Sequence, residues 1–251
     1  MAGGEAERRS DVRRARAMAV AVAGALGLTV GGLAVGVLAA LCLGFLVFEL
    51  AGPVRSDALV VVQVRYLQIG FLAFALGYVA VHGTPRRYVK LRPPTRRDAG
   101  WIVAIPLALA LLSAVFDPVL AAVGFTPSGA SANGFPVDVL ARPALWPVVA
   151  VAWFLVAAPG EELLFRGVIQ GRLRETFDAA GAVALAAACF ALAHLLLGFL
   201  TGDGSGAIAA NGVETFASGL VFGAAYERTD NLVVPAVAHA GLWTVGLALA
   251  S

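Results

Sequence analysis

The chain has 251 residues, of which 60% are hydrophobic and only 14% charged. A water-soluble domain carries about 25% charge, so that class is excluded and a multi-span membrane protein is indicated. A formal net charge of +2 is too small to point to a nucleic-acid partner, and the bilayer is the expected surrounding. Cys42 and Cys189 lie in apolar stretches without a Cys-x-x-Cys pattern, and read as small buried side chains rather than a disulfide framework. Every basic residue but Lys90 is arginine; with the Ala, Val and Gly richness, this points to a GC-rich prokaryotic genome.

Residues 1–16 carry five arginines, Arg8, Arg9, Arg13, Arg14 and Arg16, and predict a basic cytoplasmic N-terminus. The apolar run that follows, 17–50, is far longer than the ~7–15 residue core of a signal peptide, so it reads as a retained membrane anchor. Six further apolar segments follow, at roughly 58–82, 101–124, 144–169, 180–200, 212–226 and 232–250. About 20 residues cross a bilayer as a helix. The prediction is therefore an all-α integral membrane protein, a polytopic bundle of about seven transmembrane helices. Its single membrane domain divides into N-terminal helices over 17–143 and the helices that carry chemistry over 144–251. The first segment is glycine-rich and is expected to tilt or break. The sixth is expected to be short, with Gly219-x-x-x-Gly223 favouring close helix contact. Clusters of Pro, Gly and Ser at 124–136 and 201–212 read as external loops. No internal repeat is visible, which counts against the inverted-repeat secondary transporters.

Loop charges predict the orientation. Fourteen basic residues flank the segments on one side: the first five, then Arg86, Arg87, Lys90, Arg92, Arg96, Arg97, Arg172, Arg174 and Arg228. Only Arg55 and Arg142 fall on the other. The positive-inside bias then puts the N-terminus in the cytoplasm of a multi-pass cell-membrane protein.

Inside the fourth segment stands Pro159-Gly160-Glu161-Glu162-Leu-Leu-Phe-Arg166. Carboxylates at membrane depth are costly, so an embedded acid is by default a functional-site candidate. Glu162 and Arg166 are spaced i,i+4 and share a helix face. Glu161 is rotated by about 100° and is left to face a cavity. At ~1.5 Å per residue, Glu161, His194 and His239 all lie roughly 12–21 Å from the basic ends of three different helices. Each alone has a plain reading: a lone embedded His is usually a helix–helix hydrogen-bonding residue, and a Glu–Arg pair is often structural glue. Three ionisable positions at matching depth favour a site. Arg65, Glu49, His82, Asp117 and Glu214 read as interfacial.

Glu161-Glu162-x-x-x-Arg166, then Phe190-x-x-x-His194, then His239 after Asn231-Leu-Val-Val-Pro235, resembles the CPBP family (CAAX protease and bacteriocin-processing, or Abi) of intramembrane proteases. That family includes the Ras-converting CAAX endopeptidases. The resemblance covers about 145–250. It implies a helical membrane bundle with a polar cavity open toward the cytoplasmic side, and an endopeptidase activity on a membrane-associated peptide or protein, lipidated or not. It also implies catalytic roles for Glu161, His194 and His239, with Glu162, Arg166 and Phe190 in support. The chain departs from the family where a polar residue, often Asn, usually follows the second His by four positions. Here Trp243 stands there, a donor without an acceptor.

In a metal-free version Glu161 would act as general base on a water, His194 would hold that water, and His239 would donate to the oxyanion. Family members have also been called metalloproteases. In that version Glu161, His194 and His239 would bind Zn²⁺ with an open position for water. The chain has no His-Glu-x-x-His, which favours the metal-free version. Two other classes compete: a non-catalytic membrane immunity or scaffold protein with a degenerate site, which Trp243 favours, and a proton-coupled transporter, which embedded Glu, Arg and His would also suit.

Overall fold

A computed structural model describes residues 2–52, 56–82, 85–125 and 141–249. Among them the secondary structure is entirely helical. Helix α1 (Ala2–Ala51) is unbroken over 50 residues, ~75 Å at ~1.5 Å per residue. That far exceeds the ~30 Å hydrocarbon core, so the exposed, arginine-bearing first turns continue as helix beyond it. The expected break at its glycines is not found. Gly31 and Gly36 instead lie against Phe74 and Leu67 of the next span, so their small size serves packing.

That next span is where the chain does break. Helix α2 (Asp57–Gln63) and helix α3 (Tyr66–His82) meet at Val64–Arg65 with a 41° bend. The single segment expected over 58–82 is thus two pieces. A one-turn helix over Pro85–Tyr88 leads to α4 (Arg96–Ala122), which opens on a capping box: the Thr95 hydroxyl accepts from the Asp98 amide and the Asp98 carboxylate from the Thr95 amide. Helix α5 spans Pro143–Leu173, α6 spans Ala179–Thr201, α7 spans Ser205–Thr229 and α8 spans Val233–Leu249. Five of these helices are long and apolar enough to cross a membrane, or six with the bent pair taken as one span; α8 adds a shorter apolar helix. The protein is a multi-pass helical membrane protein, and about seven spans fit this order.

Two expectations need correcting. The sixth segment is not short: α7 has 25 residues and absorbs most of the stretch 201–212 that reads as loop. Its Gly, Ala, Asn and Ser content resembles a loop only locally; in the bundle those small residues fit against α6, where a Cβ on Gly212 would meet the Leu195 side chain at 2.6 Å. The short helix is α8, with 17 residues. The loop expected at 124–136 lies outside the described residues except for Gly124 and Phe125, as do Arg55 and the Gly83-Thr84 pair beside His82.

Helix α5 is the buried axis of the bundle. Its most apolar window is 61% buried, against 44% for α6, the next highest. Around it pack α1, α3, α6, α7 and α8. At the end carrying the basic loops, fully buried Asn231 ties the start of α8 to the α3–α4 connection. Its amide donates to the Arg92 carbonyl (3.1 Å), while its oxygen accepts from the Arg92 and Val233 amides (3.3 and 3.2 Å). Arg92 in turn donates to Asp98 (2.6 and 3.1 Å) and to the Thr229 carbonyl (2.7 Å). This clamp fixes the entry of α8, and with it the height of His239.

Candidate active site

The local structure of α5 begins with Pro159. Proline has no N–H to donate and crowds the turn before it. The turn before it is a wide π-type one over Ala152–Ala157; a second such run over Leu163–Gln170 follows the short regular stretch Ala158–Glu162. Such turns inside a helix recur at functional sites. Gly160 then allows α3 to come close: a Cβ there would lie 2.6 Å from the Gln68 carbonyl oxygen. Because of that approach, the Gln68 amide donates to Glu161 Oε1 at 3.1 Å.

Glu161 and Glu162 are 2% and 0% exposed, yet have different partners. Glu162 Oε1 accepts from Arg166 Nη1 at 3.0 Å, the i,i+4 pair that the sequence predicts. It also accepts from His239 Nδ1 at 2.8 Å. Arg166 is held between the rings of Phe190 (4.6 Å) and Phe222 (5.2 Å), a cation–π arrangement that adds to the pairing. Its Nη2 reaches the Gly219 carbonyl at 3.5 Å. That carbonyl is near because Gly219 packs directly on Ala187 of α6, where a Cβ would fall 2.9 Å from the Ala187 Cα. The Gly219-x-x-x-Gly223 spacing therefore does what close helix packing requires.

Glu161 is the acid turned to the cavity. Its Oε2 is buried and has no hydrogen-bond partner among the described residues, and His239 Nε2 stands 3.9 Å away. His194 donates from Nδ1 to the Phe190 carbonyl at 2.9 Å, so its other ring nitrogen is the one left for chemistry. Phe190 packs edge-on against both histidines, with centroids 4.5 Å from His194 and 6.3 Å from His239. His239 is further stacked on Phe222 at 4.7 Å and touches Trp243 at 4.2 Å.

Glu161, His194, His239 and Trp243 line one cavity of about 440 Å³. Glu162 and Arg166 sit behind it. Several residues join the lining that the sequence reading leaves out or puts elsewhere. Gln68 and Trp153 are there, and Arg65 and Glu214 line the cavity rather than the interface. The signal for two of these residues is available in hindsight: Arg65 and Gln68 are spaced i,i+3 within a largely apolar span. The lining runs out to Phe116, Leu197 and Asn211, in the halves of α4, α6 and α7 remote from the basic loops. The resemblance implies an opening on the basic side; the lining extends the other way.

As for a metal, no group of three or more His, Cys, Asp and Glu side chains among the described residues is gathered to hold one. Both histidines donate from Nδ1, which is also how a metal-bound imidazole is held, so Nε2 is the nitrogen each would offer. Glu161, His194 and His239 are nonetheless not gathered into a metal-ligand set among the described residues.

Buried carboxylates and imidazoles thus gather around one cavity within a multi-span helical bundle. Residues 143–245 match the family described as Type II CAAX prenyl endopeptidase Rce1-like. That stretch is thus similar to the Rce1-like endopeptidases, consistent with the resemblance to CPBP family intramembrane proteases. No curated protein and no solved structure matches the chain.

Proposed function

We propose that this protein is an intramembrane endopeptidase that hydrolyses a peptide bond of a membrane-associated substrate, with Glu161 as general base. The observation that carries the reading is the asymmetry of the two acids. Glu162 is tied to Arg166 and His239 and does not line the cavity, whereas Glu161 keeps one oxygen on Gln68 and does line it. A pair of acids with different environments is how one site obtains both a fixed charge and a working base.

In the reaction a water donates one proton to Glu161 Oε2 as its oxygen attacks the scissile carbonyl carbon. The carbonyl π electrons move onto oxygen, forming a tetrahedral oxyanion. Collapse of that oxyanion breaks the C–N bond, and the proton on Glu161 passes to the departing nitrogen. His239 donates from Nδ1 to Glu162, and His194 from Nδ1 to a carbonyl, so in their neutral forms both present Nε2 as an acceptor. One of them accepts the hydrogen bond of the water's second proton and so orients it. Arg166 and Glu162 hold the His239 ring in that tautomer.

Trp243, in van der Waals range of His239, favours a second reading, a membrane scaffold with a degenerate site. One experiment separates the two. Detergent-purified protein is incubated with membrane peptides, prenylated and plain, and cleavage is read by mass spectrometry for the parent and Glu161→Gln. The endopeptidase reading expects cleavage by the parent and a loss of at least ~100-fold in the variant, the scale of a lost general base. Equal rates in a folded variant would overturn the assignment of the base, and no cleavage by the parent would favour the scaffold.

A further inference from the structure

We propose that Arg65 is a catalytic residue of this site: it supplies the positive charge that stabilises the tetrahedral oxyanion, held in place by the indoles of Trp153 and Trp243. The inference rests on the endopeptidase reading for its reaction, but it comes from a separate set of observations.

Arg65 sits at the bend between α2 and α3, the one place where this span loses its regular helix. Its carbonyl accepts from the Gln68 and Ile69 amides (3.1 and 3.2 Å), so it begins α3 and shares a face with Gln68. Gln68 holds Glu161, which puts Arg65 one helical turn from the residue that grips the base. Both line the cavity with Glu161, His194 and His239. The charge of Glu161 is within electrostatic reach of the guanidinium.

Among the described residues, two rings flank that guanidinium. Its Cζ lies 5.4 Å from the Trp243 ring centroid and 5.9 Å from that of Trp153, and the two indoles are 5.9 Å apart. Trp is the best face for a cation–π contact. Trp243 meanwhile packs at 4.2 Å on His239. Thus the residue standing where a polar group is expected bridges the catalytic histidine to a cation. Guanidinium is a planar fork of N–H donors, a shape suited to a developing oxyanion.

Both histidines engage Nδ1 with partners within the chain, the Phe190 carbonyl and Glu162. Arg166 lies behind Glu162, 2% exposed, and does not line the cavity. Arg65 is the cation that does.

The test uses full-length protein in detergent and two readouts. In turnover, Arg65→Gln should lower kcat by roughly 10²–10³-fold, the usual effect of losing an oxyanion donor. KM should change little, and added guanidinium chloride at millimolar levels should restore part of the rate to Arg65→Ala. Arg65→Lys keeps a cation over the indoles but loses the planar fork, and should fall between parent and Arg65→Gln; it also serves if Arg65→Gln fails to fold. In binding, the probes are a capped Leu-Leu peptide and the same peptide with a phosphinate in place of the central amide, an anionic tetrahedral mimic. The parent should prefer the phosphinate at least ~10-fold, within the range for transition-state analogues; Arg65→Gln and Arg65→Lys should lose all and part of that preference. The proposal is overturned if the parent has no preference, if folded Arg65 variants keep it, or if their loss of turnover lies in KM alone. The binding readout separates the two ideas: phosphinate preference lost with Arg65 while Glu161→Gln keeps normal turnover would sink the base assignment and leave Arg65 standing. An inactive Glu161→Gln beside a fully active Arg65→Gln would do the reverse.

Discussion

Replacing Arg166 by Leu should cost the protein about 3 kcal/mol of stability, at the lower end of the ~3–5 kcal/mol range for breaking a buried pair. The guanidinium and its carboxylate partner have side chains 2% and 1% exposed and meet at 3.0 Å. Removing the cation leaves Glu162 embedded with His239 Nδ1 as its remaining donor, at 2.8 Å. That surviving charge-assisted bond is why the lower end applies. The contacts with Phe190 and Phe222 are lost too, but leucine refills most of the space between the rings. The cost belongs to the stranded carboxylate, so a second change that removes its charge should recover most of the loss. Glu162→Gln does so while keeping an oxygen for His239. Denaturant unfolding in detergent, followed by tryptophan fluorescence, would measure parent, both single variants and the double variant. A loss below about 1 kcal/mol in Arg166→Leu, or a double variant no more stable than that single one, would refute the argument that an unpaired buried charge sets the cost.

Gly160→Val should separate α3 from α5, because even a Cβ there falls 2.6 Å from the Gln68 carbonyl. Overpacking of this kind costs about 1–3 kcal/mol, and turnover should drop with it as Gln68 releases Glu161; an unchanged melting temperature and rate would contradict the close approach. Chelation by excess EDTA should leave turnover unaltered, since no three-ligand cluster forms among the described residues; a loss reversed by added zinc would oppose that. With Cys42 and Cys189 removed, a cysteine at Gly204 should react with an impermeant thiol reagent from outside intact cells and a cysteine at Arg92 should not, following the bias of loop charge. Thr215→Cys, on the cavity lining, should then label from the same side as Gly204, and protection from that side would place the entrance at the basic end.

Much of the site is legible in the chain because membrane burial makes polar residues conspicuous. Glu161, Glu162, Arg166, His194 and His239 stand out from apolar surroundings, and helical spacing alone pairs Glu162 with Arg166. What is not legible is which acid the histidine would choose. His239 is far away in sequence, and its Nδ1 meets Glu162 rather than Glu161 because the Asn231 clamp sets the height of α8. Arg65 and Gln68 escape for a different reason. A single arginine near a span end reads as interfacial, and only the bend at Val64–Arg65, a tertiary feature, brings it inward. The length of α7 is misread because glycine and small polar residues look like a loop until the neighbouring helix is present to fit them.

The irregular backbone of the bundle is concentrated at the cavity. The α2–α3 bend delivers Arg65 and Gln68, while the wide turns on either side of Pro159 and Gly160 deliver Trp153 and Glu161. Within a bilayer, non-helical backbone is tolerated only where it is buried in protein or lines a polar cavity, since lipid offers no hydrogen bonds. Both interruptions meet that condition, and they face each other across the same space. Idealised α2–α3 and α5 helices would pack with better backbone geometry but would carry these side chains away from His194 and His239. The distortions in this part of the chain are therefore the structural cost of assembling an acid, two imidazoles and a guanidinium around one cavity.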